Sequence, residues 1–148
     1  MFGLLTPSFF MKLAGMCLLA TGALSVAIAE TVIVVGADSE VSALSADQAR
    51  SIFLGKTTML PNGVPAVPIL QDEESPVQAQ MREKILGKSA AQLQSYWAQR
   101  IFSGKATPPK VAGNDAEVKK YLTGTAGGIG YIDGSHMDDS VKVVFTIK

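Results

Sequence analysis

The stretch Leu44-Ser-Ala-Asp-Gln-Ala-Arg-Ser-Ile-Phe-Leu-Gly-Lys56 reads as a helix that carries its own start and stop. Ser45 followed by Gln48 forms a capping box, in which each side chain satisfies a backbone N–H that the first helical turn leaves free. Gly55 then supplies the left-handed residue that ends such a helix. Outward from this segment the same grammar recurs: Ser75 with Gln78, Ser89 with Gln92, and Asn114 with Glu117 predict three further starts, with stops at Gly87, Gly104 and Gly124. Each helix has an apolar face to bury. Val77, Met81 and Ile85 recur every four residues, as do Leu93, Trp97 and Ile101, and Val118 with Leu122 repeats the spacing, so these residues are expected in the core.

The strands are read from β-branched runs. Thr31-Val-Ile-Val-Val-Gly36 is uniformly apolar and predicts a strand in the interior of a sheet, covered on both faces. Pro61-Asn-Gly-Val-Pro65 is a turn leading into a strand over Ala66-Val-Pro-Ile-Leu70. Pro68 cannot donate to a ladder, which predicts an edge position or a bulge there. Ile129 to Ile132 and Val141 to Ile147 predict two closing strands around the polar loop Asp133 to Ser140. The order strand, helix, strand, three helices, strand, strand is an α/β arrangement with a mixed sheet flanked by about four helices.

Three segments resemble a known family: Leu44 to Lys56, Ser95-Tyr-Trp-Ala-Gln-Arg-Ile-Phe-Ser-Gly-Lys105, and Gly127-Gly-Ile-Gly-Tyr-Ile132. Together they are similar to small proteins related to the phosphate-binding subunit of ABC transporters, in the type 2 periplasmic-binding-protein superfamily. The resemblance covers nearly all of the chain after residue 30. It implies a single three-layer-like lobe, whereas in that superfamily two lobes joined by crossover strands close on a ligand. It also implies an anion site at a helix start, where phosphate-binding relatives carry an Arg or similar residue followed by Ser-Gly-Thr.

This chain has Gln71-Asp-Glu-Glu-Ser-Pro-Val77 at that place. Ser75 is retained. Pro76 removes one N–H that would face an oxyanion, Val77 replaces a hydroxyl, no guanidinium is present, and Asp72, Glu73 and Glu74 add negative charge. Two readings of Ser75 follow: a helix cap, or a contact to a small phosphate-like anion through the free N–H groups of the helix start. The candidate ligand-binding set is Ser75, Val77 and Gln78, with Lys56, Thr57 and Thr58 from the loop after Gly55.

The first part of the chain reads as a secretory signal. Met11 to Ala29 has a basic start, an apolar run and small residues at Ala27 and Ala29, which predicts cleavage before Glu30 and a domain over residues 30–148, with Met11 a candidate for the true start. A retained membrane anchor is the alternative, though Gly15, Thr21, Gly22 and Ser25 interrupt the run. Cys17 falls inside this segment, so the exported chain would have no thiol, and Met16 before it argues against lipoprotein processing. Loss of Lys12 leaves 12 basic against 13 acidic side chains, a balance that gives no electrostatic case for nucleic acid or an anionic membrane.

Other chemistry is thin in the sequence. Thr123-Gly-Thr-Ala-Gly-Gly-Ile-Gly130 follows a predicted helix and opens a strand, the reverse of a nucleotide loop, and lacks the Lys-Ser or Lys-Thr ending. His136, the one histidine, stands near Asp138 and Asp139 in a loop expected to be solvated, with no ligand spacing for a metal. Ser135 beside His136 is no catalytic pair. The expectation is a periplasmic, noncatalytic binding protein without a cofactor, taking a small anion such as phosphate weakly or together with a partner: a membrane transporter or receptor protein, or a second copy in a homodimer. The alternative is an interaction or sensory adaptor that keeps the lobe as a scaffold.

Overall fold

The computed structural model describes residues 30–148, so the expected signal segment and its cleavage site lie outside the described residues. Five strands form one sheet: β1 (Thr31–Gly36), β2 (Val67–Gln71), β3 (Lys110–Ala112), β4 (Gly128–Asp133) and β5 (Val141–Thr146), in the order β3-β2-β4-β1-β5. β2 runs parallel to both β3 and β4, and β1 is antiparallel to its neighbours β4 and β5. The helices are α1 (Ala46–Phe53), α2 (Pro76–Met81), α3 (Ala90–Phe102) and α4 (Asp115–Gly124).

β1 explains the layering. It is interior and buried on both faces, as its composition requires: Ile33 and Val35 join the core beneath α1, α2 and α3, while Val32 and Val34 join the core beneath α4. β4 divides in the same way, with Ile129 and Tyr131 on the first face and Ile132 on the second. The result is a three-layer α/β lobe with three helices on one side and one on the other.

The capping boxes of α1 and α3 form as expected, with Ser45 and Ser89 accepting from the Gln48 and Gln92 N–H groups and the glutamine side chains accepting in return. Asn114 accepts from the Glu117 N–H, but Glu117 reaches back to Gly113. The expected box at α2 does not form. Gln78 is buried and accepts from the Tyr131 hydroxyl, and the Ser75 hydroxyl turns away to donate to Gln71. A partner 53 positions away has taken Gln78, and a near neighbour has taken Ser75. α2 continues through a wider π turn at Arg82–Leu86, where Arg50 Nε donates 2.8 Å to the Ile85 carbonyl. Gly55, Gly87 and Gly104 are left-handed stops, whereas Gly124 stays within α4, which ends on extended Thr125.

Three expectations about the sheet and core are corrected. β3 interrupts the predicted run of helices; its three residues are too few for a periodic signal. β2 consequently lies inside the sheet, not at its edge. Val67 donates toward β4, so the position of the missing Pro68 N–H faces the other side, and β3 pairs only from Ile69 onward. No ladder bond is lost. Ile101, expected in the core, is 38% exposed, because α3 buries only Leu93 fully and half-buries Tyr96 and Trp97.

Candidate functional site

Parallel β2, β3 and β4 point their carboxyl ends to one side, the place where open α/β sheets hold ligands. A crevice of about 600 Å3 lies there, walled by Gln71 at the end of β2, the turn Asp72 to Val77, Gly113 to Ala116 before and within α4, Lys119, Asp133 and His136.

Asp115 organises it. The side chain is 13% exposed and sits at the first position of α4, where a carboxylate suits the positive pole of the helix. Its Oδ1 accepts from Gln71 Nε2 at 2.6 Å, and its Oδ2 accepts from the Asp133 N–H at 3.0 Å and meets His136 Nδ1 at 2.6 Å. One carboxylate thus ties together β2, β4 and the short 3-10 turn Gly134–His136. Gln71 is fully committed: Nε2 also donates to the Tyr131 carbonyl, Oε1 accepts from Ser75, and its N–H donates to the Tyr131 hydroxyl at 2.8 Å. Because the Nδ1 side of His136 is taken by Asp115, Nε2 is the ring nitrogen left to a ligand.

Lys119 closes one flank, donating 2.9 Å to the His136 carbonyl and 2.8 Å to Asp138. That ammonium, with the Ser140 hydroxyl and N–H, holds the Asp138 carboxyl down to about 2. Beneath the crevice, burial pushes the Tyr131 phenol well above its ordinary value. The charged lining is predominantly acidic, with Asp72, Glu74, Asp115 and Asp133 against Lys119 and His136. Among the described residues, no three His, Cys, Asp or Glu side chains are grouped to hold a metal ion, and no helix is long and apolar enough to cross a membrane.

The sequence-derived candidates separate into two places. Ser75 lines the crevice; Val77 and Gln78 stand at the same helix start with their side chains buried. Lys56, Thr57 and Thr58 are exposed in the loop after α1, and Thr57 lines a different, smaller cleft with Asp47, Gln48 and Ser51. The two groups share no crevice. Gln71, Asp115, Lys119 and His136 were missed as site residues. His136, expected in a solvated loop, keeps a 59% exposed ring but is pinned by Asp115. Only the parallel order of β2, β3 and β4, which needs the unforeseen β3, places these residues together.

No protein-family model matches the chain, and no curated protein sequence matches it. Solved structures do. A phosphate ABC transporter substrate-binding protein from Clostridium perfringens, determined with phosphate bound, aligns with a TM-score of 0.63 at 22% identity over 78% of this chain and 44% of its own. An ABC-type phosphate transport receptor from Vibrio cholerae gives 0.62 at 17% identity, over 78% of this chain and 45% of its own. PstS from Borrelia burgdorferi gives 0.59 at 12%, over 78% and 46%. The chain therefore has the fold of one lobe of a phosphate-type substrate-binding protein and spans under half the length of these relatives.

Proposed function

We propose that the chain is a noncatalytic periplasmic binding domain, exported through a signal removed after Ala29, whose crevice at the carboxyl ends of β2, β3 and β4 takes a small oxyanion such as phosphate weakly. The observation that carries this reading is the convergence of the Ser75 helix start and the His136 ring on one crevice. His136 stands in for the guanidinium that the turn lacks. The Ser75 hydroxyl already donates to Gln71 and the Gln78 N–H to the Ser75 carbonyl, so the helix start offers an anion the Val77 N–H, the Val77 and Gln78 side chains being turned inward. Weakness follows from two features. Gln71 and Ser75 are already bonded within the protein, and one lobe gives a ligand a single wall.

A partner would supply the second wall: a membrane transporter or receptor protein, or a second copy of this chain. Lys56, Thr57 and Thr58, exposed and apart from the crevice, suit contact with such a partner more than with the anion. The adaptor reading, in which ligand binding has been lost, is favoured by Asp72 and Glu74 on the crevice wall, since both repel an anion. Calorimetric titration with phosphate, alongside light scattering, separates the two. Heat at millimolar phosphate that vanishes in His136→Gln supports the oxyanion site. Absence of heat in both proteins leaves the adaptor reading, and tight capture by a monomer overturns the single-wall argument.

A further inference from the structure

α3 is held to the lobe along one narrow stripe. Of its 13 residues only Leu93 is buried, with Tyr96 and Trp97 half-buried beside it. Its outward face, Ala91, Gln94, Ser95, Ala98, Ile101 and Phe102, bears no charge. Arg100, the one charged residue of the helix, is drawn inward, donating 3.1 Å to the Gly55 carbonyl with its guanidinium over the Tyr96 ring. A helix that met only water would carry charges on its outward face. Along that face Ala91, Ser95, Ala98 and Phe102 follow one another at intervals of four, three and four residues, the spacing of a helix–helix seam. The seam has a knob and a hole. Phe102 at its carboxyl end is 97% exposed, and at its amino end Ala91 and Ser95 floor a cleft of about 520 Å3 whose walls include Gly87, Lys88 and Tyr96.

We infer that α3 is the contact between two copies of this chain, packed antiparallel about a two-fold axis, with Phe102 of each copy seated in the other's cleft over Ala91 and Ser95. The order of the seam selects a second copy. Intervals of four, three and four read the same in both directions, so a copy turned end for end sets Phe102 against the partner's Ala91 and Ala98 against the partner's Ser95. The ring thus meets the smallest side chain of the seam, and the central pairs are small enough for the helices to approach closely. A two-fold axis places like beside like, which a charged face resists and an uncharged one permits. The cleft also suits a phenyl ring. Its Tyr96 ring and its Lys88 ammonium, 5.0 Å from the Tyr96 centroid, both interact favourably with an aromatic edge or face. The face is about 20 Å long and offers roughly half of the ~800 Å2 per side of a standard interface, so the pair is weak and forms with concentration. Lys88 and Lys105 stand just beyond the two ends of α3, and antiparallel pairing brings each toward the other on the partner; salt screens that repulsion. The pairing stands whether or not the crevice takes an anion.

Sedimentation equilibrium of the full chain from about 10 μM to about 1 mM, the span of weak association, tests the inference. A reversible monomer–dimer equilibrium is expected, and added salt should tighten it. Phe102→Ser should raise the dissociation constant at least about tenfold, as loss of an aromatic anchor does, and Ala91→Gln, which fills the floor of the cleft, at least about fivefold. Ile101→Ser is the control. It removes a neighbouring exposed apolar side chain that lies off the seam, and should leave the constant unchanged. All three side chains are exposed, so unfolding temperatures should match the parent and exclude misfolding as the cause. Four results would overturn it: a monomer throughout the range, which leaves the face to a different protein or to lipid; a dimer that neither Phe102→Ser nor Ala91→Gln weakens, which assigns association to residues 1–29 or another face; equal weakening by Ile101→Ser, which marks unspecific apolar contact; or dissociation by salt, which makes the contact electrostatic.

Discussion

Ile52-Phe53-Leu54-Gly55-Lys56 and Ile101-Phe102-Ser103-Gly104-Lys105 are nearly the same pentapeptide and end their helices in the same way. In the first, Leu54, Gly55 and Lys56 donate to the carbonyls of Arg50, Ile52 and Ser51; in the second, Ser103, Gly104 and Lys105 donate to Gln99, Ile101 and Arg100. Gly55 has φ 69° and Gly104 φ 73°. Yet Phe53 is wholly buried, edge-on to Tyr131 with ring centroids 5.5 Å apart, while Phe102 stands in water. The six-residue closing turn is a local property of the pentapeptide. Burial is not, because it depends on whether a sheet lies beneath the helix end.

The largest expected effect sharpens that contrast. Phe53→Ala should cost about 3–5 kcal/mol, as large-to-small changes in a packed core do, while Phe102→Ala should stay within about 0.5 kcal/mol; urea unfolding of both variants checks this, and similar losses would break the comparison. Next comes the ring that Phe53 meets. Tyr131→Phe leaves the Gln71 N–H and the Gln78 Oε1 without their partner and should cost about 1–3 kcal/mol.

Tyr131 also gives a pH dependence. Its phenol is held protonated by burial, so its contribution is complete below the unfolded value of about 10 and is lost as pH rises above it, because only the unfolded chain then ionises. Alkaline denaturation curves should show this fall in the parent and less of it in Tyr131→Phe.

The paired glycines offer a finer test. Both need left-handed backbone, so alanine at either should cost about 1 kcal/mol. Gly55→Ala should cost more, since its new Cβ would sit 3.3 Å from the Trp97 ring, whereas Gly104 has open space around it. Thermal melts of the two variants should therefore rank Gly104→Ala above Gly55→Ala. The smallest effect concerns the exposed Lys119–Asp138 pair. Its contribution is present above the unfolded carboxyl value of about 3.8 and is lost as pH falls through about 2. Carboxyl NMR should find Asp138 titrating near 2 and returning toward the ordinary range in Lys119→Ala, with little change in unfolding midpoint at neutral pH.

The same division between local and distant causes separates what was legible in the sequence from what was not. The starts of α1, α3 and α4 were readable because cap and partner lie three residues apart, and the double burial of β1 was readable because Val32 to Val35 puts apolar side chains on both faces. At α2 the same cap signal failed, since Tyr131 takes Gln78 from 53 positions away, while Gln71, four residues before Ser75, takes the serine hydroxyl. The crevice was hidden for a similar reason. Gln71 and Asp115 are 44 positions apart, Asp115 and His136 another 21, and no spacing rule connects them.

By itself the sequence determined where helices begin and end, which strand runs through the interior, and the α/β class, because capping bonds close within a turn and hydrophobic period needs only neighbours. Tertiary structure alone decided that β3 would join the sheet, that Pro68 would sit harmlessly inside it, that Asp115 would gather Gln71 and His136, and that one of two matching phenylalanines would face water. Each of these depends on which distant backbone arrives alongside, and a contact across twenty or more residues leaves no mark in the local pattern at either end.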